Sequence, residues 1–304
     1  MIRTVLGDIA PATLGATNYH EHLFQVTPLL PGDEIDDEAA SREEAASLHA
    51  SGFAAMVDAT PMGLGRNPAG LARISAATGL HVVATTGRHR EAHYAADHPI
   101  RAWSVDQSAQ AFITDIDDGM SADGANAPRA GLLKGGIDYW RISAFERITL
   151  DAIAIAHQRT GAPAMVHLEF CTAAHEVLDL LAAAGVAANR VVLAHADRDP
   201  DPGLHIELAH RGAYLGYDGF ARPKTRSDAE LLELTERVLV AGAGARVLLG
   251  GDVARSTRYR AYGGMPGLAY LGERYLPRLR ARIGEDAARQ ILIDNPKRFL
   301  TLGR

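Results

Sequence analysis

Eight short apolar runs, rich in Val, Ala and Leu and separated by helical patterns, constrain this chain more than any other feature. They are GATNYHEHLF (15–24), AAMVDAT (54–60), HVVATTG (81–87), AGLLKGG (130–136), PAMVHLE (163–169), RVVLAHAD (190–197), AYLGYDG (213–219) and RVLLGGD (246–252). Most are apolar along their whole length rather than alternating. Strands of this kind are buried on both faces, as in a parallel sheet. Between them lie helical stretches with recognisable ends. The segment 36–52 is acidic at its start and closes at Gly52, and 67–80 carries Pro68 in its first turn. Segment 143–161 opens with Ser143 and Glu146 at capping-box spacing, and 227–244 opens with Ser227 and Glu230 in the same way.

Eight strands alternating with helices predict an α/β fold, a (β/α)8 barrel. An open doubly wound sheet has the same alternation, but no Gly-x-Gly-x-x-Gly follows an early strand, which weakens a dinucleotide-binding reading. The 304 residues suit one barrel over 1–304, with MIRTVLGDI as a small hairpin outside it, within about residues 1–14. Residues 118–131, the loosest stretch, read as a surface loop before the fourth barrel strand.

A net charge of -6 gives no sign of a nucleic-acid partner. Cys171 is the single cysteine, so no intramolecular disulfide forms, and a reducing compartment is expected. The start of the chain has no long apolar core resembling a signal peptide, and no apolar run is long enough for a membrane span. The expectation is a cytoplasmic protein.

The chemistry lies where polar residues interrupt the apolar runs near their C-terminal ends. His20 and His22 flank Glu21, and alternate strand residues share a face, so two imidazoles can chelate one ion. His167, His195, Asp252 and Lys134 sit late in four other runs. In a barrel those ends converge on one rim, where active sites form. An ammonium cannot bind a cation, so Lys134 has two readings. One is a Schiff-base amine. The other is a carboxylated lysine, an anion that bridges two metals. The four histidines around it favour the metal.

These motifs, with LAHADRDPD and the C-terminal DNPKRFL, resemble the phosphotriesterase family of the amidohydrolase superfamily along nearly the whole chain. The resemblance implies an amidohydrolase-type barrel in which His20, His22 and Asp252 hold the more buried metal and His167 and His195 the second. Carboxylated Lys134 and a hydroxide would bridge the two ions, and Asp252 would be the catalytic proton acceptor. The metals are expected to be zinc, with manganese or cobalt as alternatives. A homodimer is also implied.

Within that family the loops choose the substrate. Arg222, Lys224 and Arg226 follow the seventh barrel strand, and Arg255, Arg258, Arg260 and Tyr262 follow the eighth. The last two loops of barrels often receive phosphate. The expected substrate is therefore a sugar-acid (pentono-1,4-) lactone phosphate, anchored by Lys224, Arg255, Arg258 and Tyr262. Phosphotriesters, aryl esters, acyl-homoserine lactones and unphosphorylated lactones are the alternatives; a Schiff-base aldolase or an inactive binding protein is more remote. Arg88, His89 and Arg90, where many relatives carry aromatic residues, are expected to make the pocket wall basic. Asp218 rivals Asp252 as the catalytic carboxylate, and Asp58 is expected to support the ligands by hydrogen bonding.

Overall fold

The computed structural model describes residues 1–120 and 127–303. A two-stranded antiparallel hairpin, β1 (Ile2–Thr4) and β2 (Gly7–Ile9), comes first. Eight parallel strands follow: β3 (Thr17–Glu21), β4 (Ala55–Asp58), β5 (His81–Gly87), β6 (Ala130–Ile137), β7 (Ala164–Leu168), β8 (Val191–Ala194), β9 (Tyr214–Tyr217) and β10 (Val247–Leu249). Each is followed by a helix: α1 (Glu38–Ala50), α2 (Pro68–Thr78), α3 (Val105–Asp117), α4 (Ala144–Thr160), α5 (Ala174–Ala183), α6 (Pro202–His210), α7 (Asp228–Val240) and α8 (Leu276–Ile283). Neighbouring strands pair in sequence order from β3 to β10. The ring is drawn nearly closed beyond them, where Asp252 N–H donates to the His20 carbonyl at 2.9 Å. An open doubly wound sheet is thereby excluded.

Both expected capping boxes form, at Ser143–Glu146 and Ser227–Glu230. A third, Ser104–Gln107, starts α3, which the apolar pattern did not single out. The hairpin lies at the N-terminal end of the barrel, where Val5 N–H donates to the Val82 carbonyl. Of the loose stretch 118–131, residues 121–126 lie outside the described residues, 118–120 follow the end of α3, and 127–129 lead into β6, which starts at Ala130.

Two packed sets of side chains result from the strand period of two. Val57, Val83, Leu132, Met165, Val192, Tyr214 and Leu248 fill the barrel interior. Their neighbours Met56, Val82, Leu133, Val166, Leu193, Leu215 and Leu249 pack outward in the larger core. Stepping two residues on from the interior set reaches Lys134 from Leu132 and His167 from Met165. Alternation therefore delivers both to the barrel mouth. Gly216 is needed on this path, because any side chain there would strike the Tyr19 ring crossing the barrel.

Candidate active site

At the C-terminal mouth of the barrel lies a cavity of about 230 Å³ lined by His20, His22, His167, His195 and Asp252. Period-two counting does not place all of them. The strands end earlier than the apolar runs: His195 follows the last residue of β8, and Asp252 lies three residues past β10. Both have left-handed backbones, with φ of 62° and 43°. That sparsely populated conformation costs energy and is kept where surrounding structure enforces it. It turns His195, which straight alternation from Val192 and Ala194 would send outward, into the cavity.

Each of the four imidazoles is held by one ring nitrogen. Asp218, fully buried, takes His20 Nδ1–H on Oδ2 at 3.0 Å and His195 Nδ1–H on Oδ1 at 2.6 Å. Tyr19 OH also donates to Asp218 Oδ2. Thr60 spends its hydroxyl proton on the Phe24 carbonyl, so its oxygen accepts from His22 Nδ1–H at 2.7 Å. His167 Nε2–H donates to Glu169 Oε1 at 2.9 Å. Because an ionised carboxylate only accepts, these contacts fix the tautomers. Four lone pairs remain: Nε2 of His20, His22 and His195, and Nδ1 of His167.

Those lone pairs converge without protons to share. His20 Nε2 is buried and has no hydrogen-bond partner among the described residues. His195 Nε2 and His167 Nδ1 face each other at 2.7 Å. Asp252 Oδ1 lies 3.6 Å from Nε2 of both His20 and His22. Unpartnered buried acceptors are costly, and a cation is the ligand that satisfies several at once. Burial, and secondarily the charge of Lys134, lowers the His20 pKa to about 3, so the ring stays neutral as a ligand must. Burial also lowers His167 and His195. For Asp252, burial pulls upward, but His20 and Arg222 hold the carboxylate well below its ordinary range. His20, His22 and Asp252 have the spacing of a metal site. His20, His195 and Asp218 are equally close, but there the carboxylate oxygens are already bound to N–H and O–H donors. Asp218 is an orienting group in this geometry.

Lys134 is fully buried and does not line the cavity. Among the described residues its Nζ has one hydrogen-bond partner, the Met165 sulfur at 3.1 Å. Burial lowers its pKa to about 8, against the pull of Asp252 and Asp218. Asp58 accepts from the backbone N–H of Leu23 and Thr60, and so steadies the turn after His22 and the residue that orients it.

The basic wall differs from expectation. Arg255 and Arg258 line the cavity; Lys224 and Tyr262 do not. Lys224 is exposed. The Tyr262 hydroxyl is bound to Ser41 and to the Asp37 backbone, which turns it toward α1. Arg88 is also misplaced in the sequence reading: it is fully buried, donates to Thr149 and the Ile100 carbonyl, and stacks over Phe145. His89 and Arg90 do line the cavity. The sequence reading did not single out His93, Glu169 or Arg198, and gave Arg222 no role; all four line the cavity. Arg222 and Arg198 reach Asp252 Oδ2 at 2.9 and 3.4 Å. Arg222, Arg198 and Glu169 each lie within about five residues of a strand end, a position that could have flagged them. His93 lies in a short turn with no such signal. Among the cavity arginines Arg258 stands apart: it makes no ion pair among the described residues, and its Nη2 is buried without a partner.

The phosphotriesterase family profile matches residues 1–300. The chain belongs to the phosphotriesterase family. An N-acetyltaurine hydrolase from Danio rerio is 28% identical, with 99% of this chain and 97% of that protein covered. A phospho-furanose lactonase from Mycoplasmopsis synoviae is also 28% identical, with 98% and 91% covered. The crystal structure of a lactonase from Listeria monocytogenes superposes with a TM-score of 0.93 at 29% identity, covering 100% of this chain and 99% of that one. Membership and the convergent donor set make this chain a divalent-metal-dependent hydrolase. Among the described residues no helix is long and apolar enough to cross a membrane.

Proposed function

We propose that the enzyme is a lactonase that opens a sugar-acid lactone bearing a phosphate. The observation that carries the hydrolytic half is that four imidazoles, each with one ring nitrogen already held, line one cavity together with Asp252. His20, His22 and Asp252 would hold one ion, His167 and His195 the other, and a carboxylated Lys134 would join them. Zinc is the first choice, since His and carboxylate donors discriminate poorly among zinc, manganese and cobalt. Bound there, the ions would activate a water and polarise the acyl carbonyl. Burial brings the Lys134 pKa down to about 8 and so raises the share of neutral amine, the form that adds carbon dioxide. Lys134 is fully buried and does not line the cavity, which speaks against the Schiff-base reading.

The chain's own groups supply the rest. Asp252 is ionised throughout the working range and is the carboxylate aimed into the cavity, so it is the proton acceptor in this reading. Asp218, spent on two histidines and Tyr19, is not. The guanidinium of Arg258, with an unpartnered buried donor in the cavity wall, is the anchor for a strong oxyanion. Arg255 lies beside it; Lys224 and Tyr262 drop out of the anchor set. The names of the two relatives agree with such an anchor: one substrate is a phosphorylated furanose lactone, the other an amide carrying a sulfonate. An amide is therefore the second reading for the scissile bond.

The test is elemental analysis followed by kcat/KM on a pentono-1,4-lactone with and without a terminal phosphate. About two divalent ions per chain and a preference for the phosphorylated lactone are expected. Arg258→Ala should remove most of that preference, about ten- to a hundredfold for one charge-assisted hydrogen bond. Metal-loaded protein that hydrolyses neither lactone overturns the reading. Turnover of N-acetyltaurine in its place establishes the amide alternative.

A further inference from the structure

Among the described residues three aromatic side chains are exposed, Tyr139, Trp140 and Phe170, at 58%, 65% and 49%. All three line one groove of about 480 Å³. Tyr139 and Trp140 follow β6, and Phe170 follows β7. Arg198, Asp199 and Pro200, after β8, complete the groove with Thr172. It therefore lies on the same C-terminal rim as the catalytic cavity, and Arg198 lines both.

The groove is built rather than accidental. Trp140 and Phe170 both have left-handed backbones, with φ of 47° and 53°, a conformation rare for bulky residues. Trp140 N–H donates to Thr172 Oγ1 at 3.1 Å, and Thr172 in turn donates to the Glu169 carbonyl at 2.7 Å. Glu169 is the residue that grips His167. The aromatic platform is thus tied to the loop that orients one of the cavity histidines. Phe170 meets Tyr139 edge to face, with centroids 6.1 Å apart. Strand order adds a direction. Arg255 and Arg258 rise from β10, next to β3, whereas β6 and β7 stand across the ring from that seam. A molecule with its anion at Arg258 and its acyl carbon over the histidines would send any further substituent toward the aromatic groove.

We infer that this groove is a second subsite for substrate, taking an uncharged ring with a flat apolar face carried by the acyl compound. A glycosyl ring and an aryl ring share that chemistry. Both lay a face against tryptophan, and Arg198 and Asp199 give the groove a polar edge that hydroxyls would meet.

Two measurements on the metal-loaded protein test it, and only the second rests on the lactonase reading. Trp103→Phe leaves Trp140 as the single tryptophan, so its emission reports the groove alone. Titration with methyl β-D-glucopyranoside and, separately, with benzyl alcohol should give a saturable change with at least one, and Phe170→Ala should weaken it several-fold, up to about tenfold. The probe that saturates identifies the ring as glycosyl or aryl. No saturable change with either overturns the inference. In the second measurement, γ-lactones bearing a glucosyl or a phenyl substituent are compared with the bare parent. Up to about tenfold higher kcat/KM is expected for the matching substituted lactone, lost in Trp140→Ala, with the parent unchanged. Equal loss on the parent overturns the subsite. Turnover of none of these lactones removes the lactonase reading, and the fluorescence titration still decides the groove. Sedimentation of the protein as a dimer that Trp140→Ala dissociates would assign the groove to a second copy and overturn the inference.

Discussion

The histidines on the floor of the cavity and the arginines on its rim are held in opposite ways. Each histidine is gripped at one ring nitrogen, by Asp218, Thr60 or Glu169, and so keeps the other as a fixed lone pair for a ligand. The arginines are gripped at the groups that would meet a ligand: Arg222 and Arg198 by Asp252, and Arg255 by Asp33. Floor groups are thus ready before anything binds, whereas most rim groups must exchange one partner for another. Arg258 is the exception: among the described residues it makes no ion pair, and its Nη2 is buried without a partner. The difference teaches where catalysis and where selectivity should be sought.

Asp252→Asn gives the sharpest test of the floor. The amide cannot accept a proton and is a poorer ligand, so kcat should fall by about a hundred- to ten-thousandfold while the circular dichroism spectrum stays native. Near-normal kcat would move the proton acceptor away from Asp252.

Asp218→Asn tests whether orientation rather than direct ligation matters. It leaves every cavity-facing nitrogen in place but weakens the grip on His20 and His195. Metal affinity, read by competition with a chromophoric chelator, should drop about ten- to a hundredfold. An unchanged affinity would mean that packing alone fixes the two rings, and the contrast between floor and rim would lose its basis.

On the rim, Arg258→Ala should cost about ten- to a hundredfold in kcat/KM for a phosphorylated lactone and little for the unphosphorylated parent. Lys224→Ala, at an exposed position outside the cavity, should leave both values within about twofold. Equal losses in the two variants would break the assignment of the anchor to Arg258.

The smallest effect is expected at Asp33→Ala. Its carboxylate holds Arg255 at 3.0 Å and accepts from Thr257 Oγ1 at 2.5 Å, which ties the loop after β3 to the loop after β10. Exposed ion pairs are worth up to about 1 kcal/mol, so KM should change by no more than about fivefold, and kcat hardly at all. A loss in kcat comparable to that of Asp252→Asn would show that the rim loop shapes the floor.

Much of the floor was legible in the chain itself. A polar residue breaking an apolar run is a local signal, and the strand period of two carries Lys134 and His167 from the packed interior to the mouth by counting alone. The capping boxes at Ser143 and Ser227 and the hairpin at the start were likewise written in neighbouring residues. Membership of the phosphotriesterase family followed from the same local motifs.

The rim was not legible, because the direction of a loop side chain is set by partners remote in sequence. Tyr262 is drawn out of the anchor set by Asp37, 225 residues away, and Arg88 is drawn inward by Thr149. Tertiary structure also turned His195 and Asp252 into the cavity through left-handed backbones that no periodicity encodes. It made Asp218, a rival to Asp252 in the sequence, the group that orients two histidines. The sequence by itself determined which residue types reach the barrel mouth, since strand alternation and burial act over a few neighbouring residues. Only the folded chain decided which way each one faces, since that depends on hydrogen bonds and charges brought together from separate strands and loops.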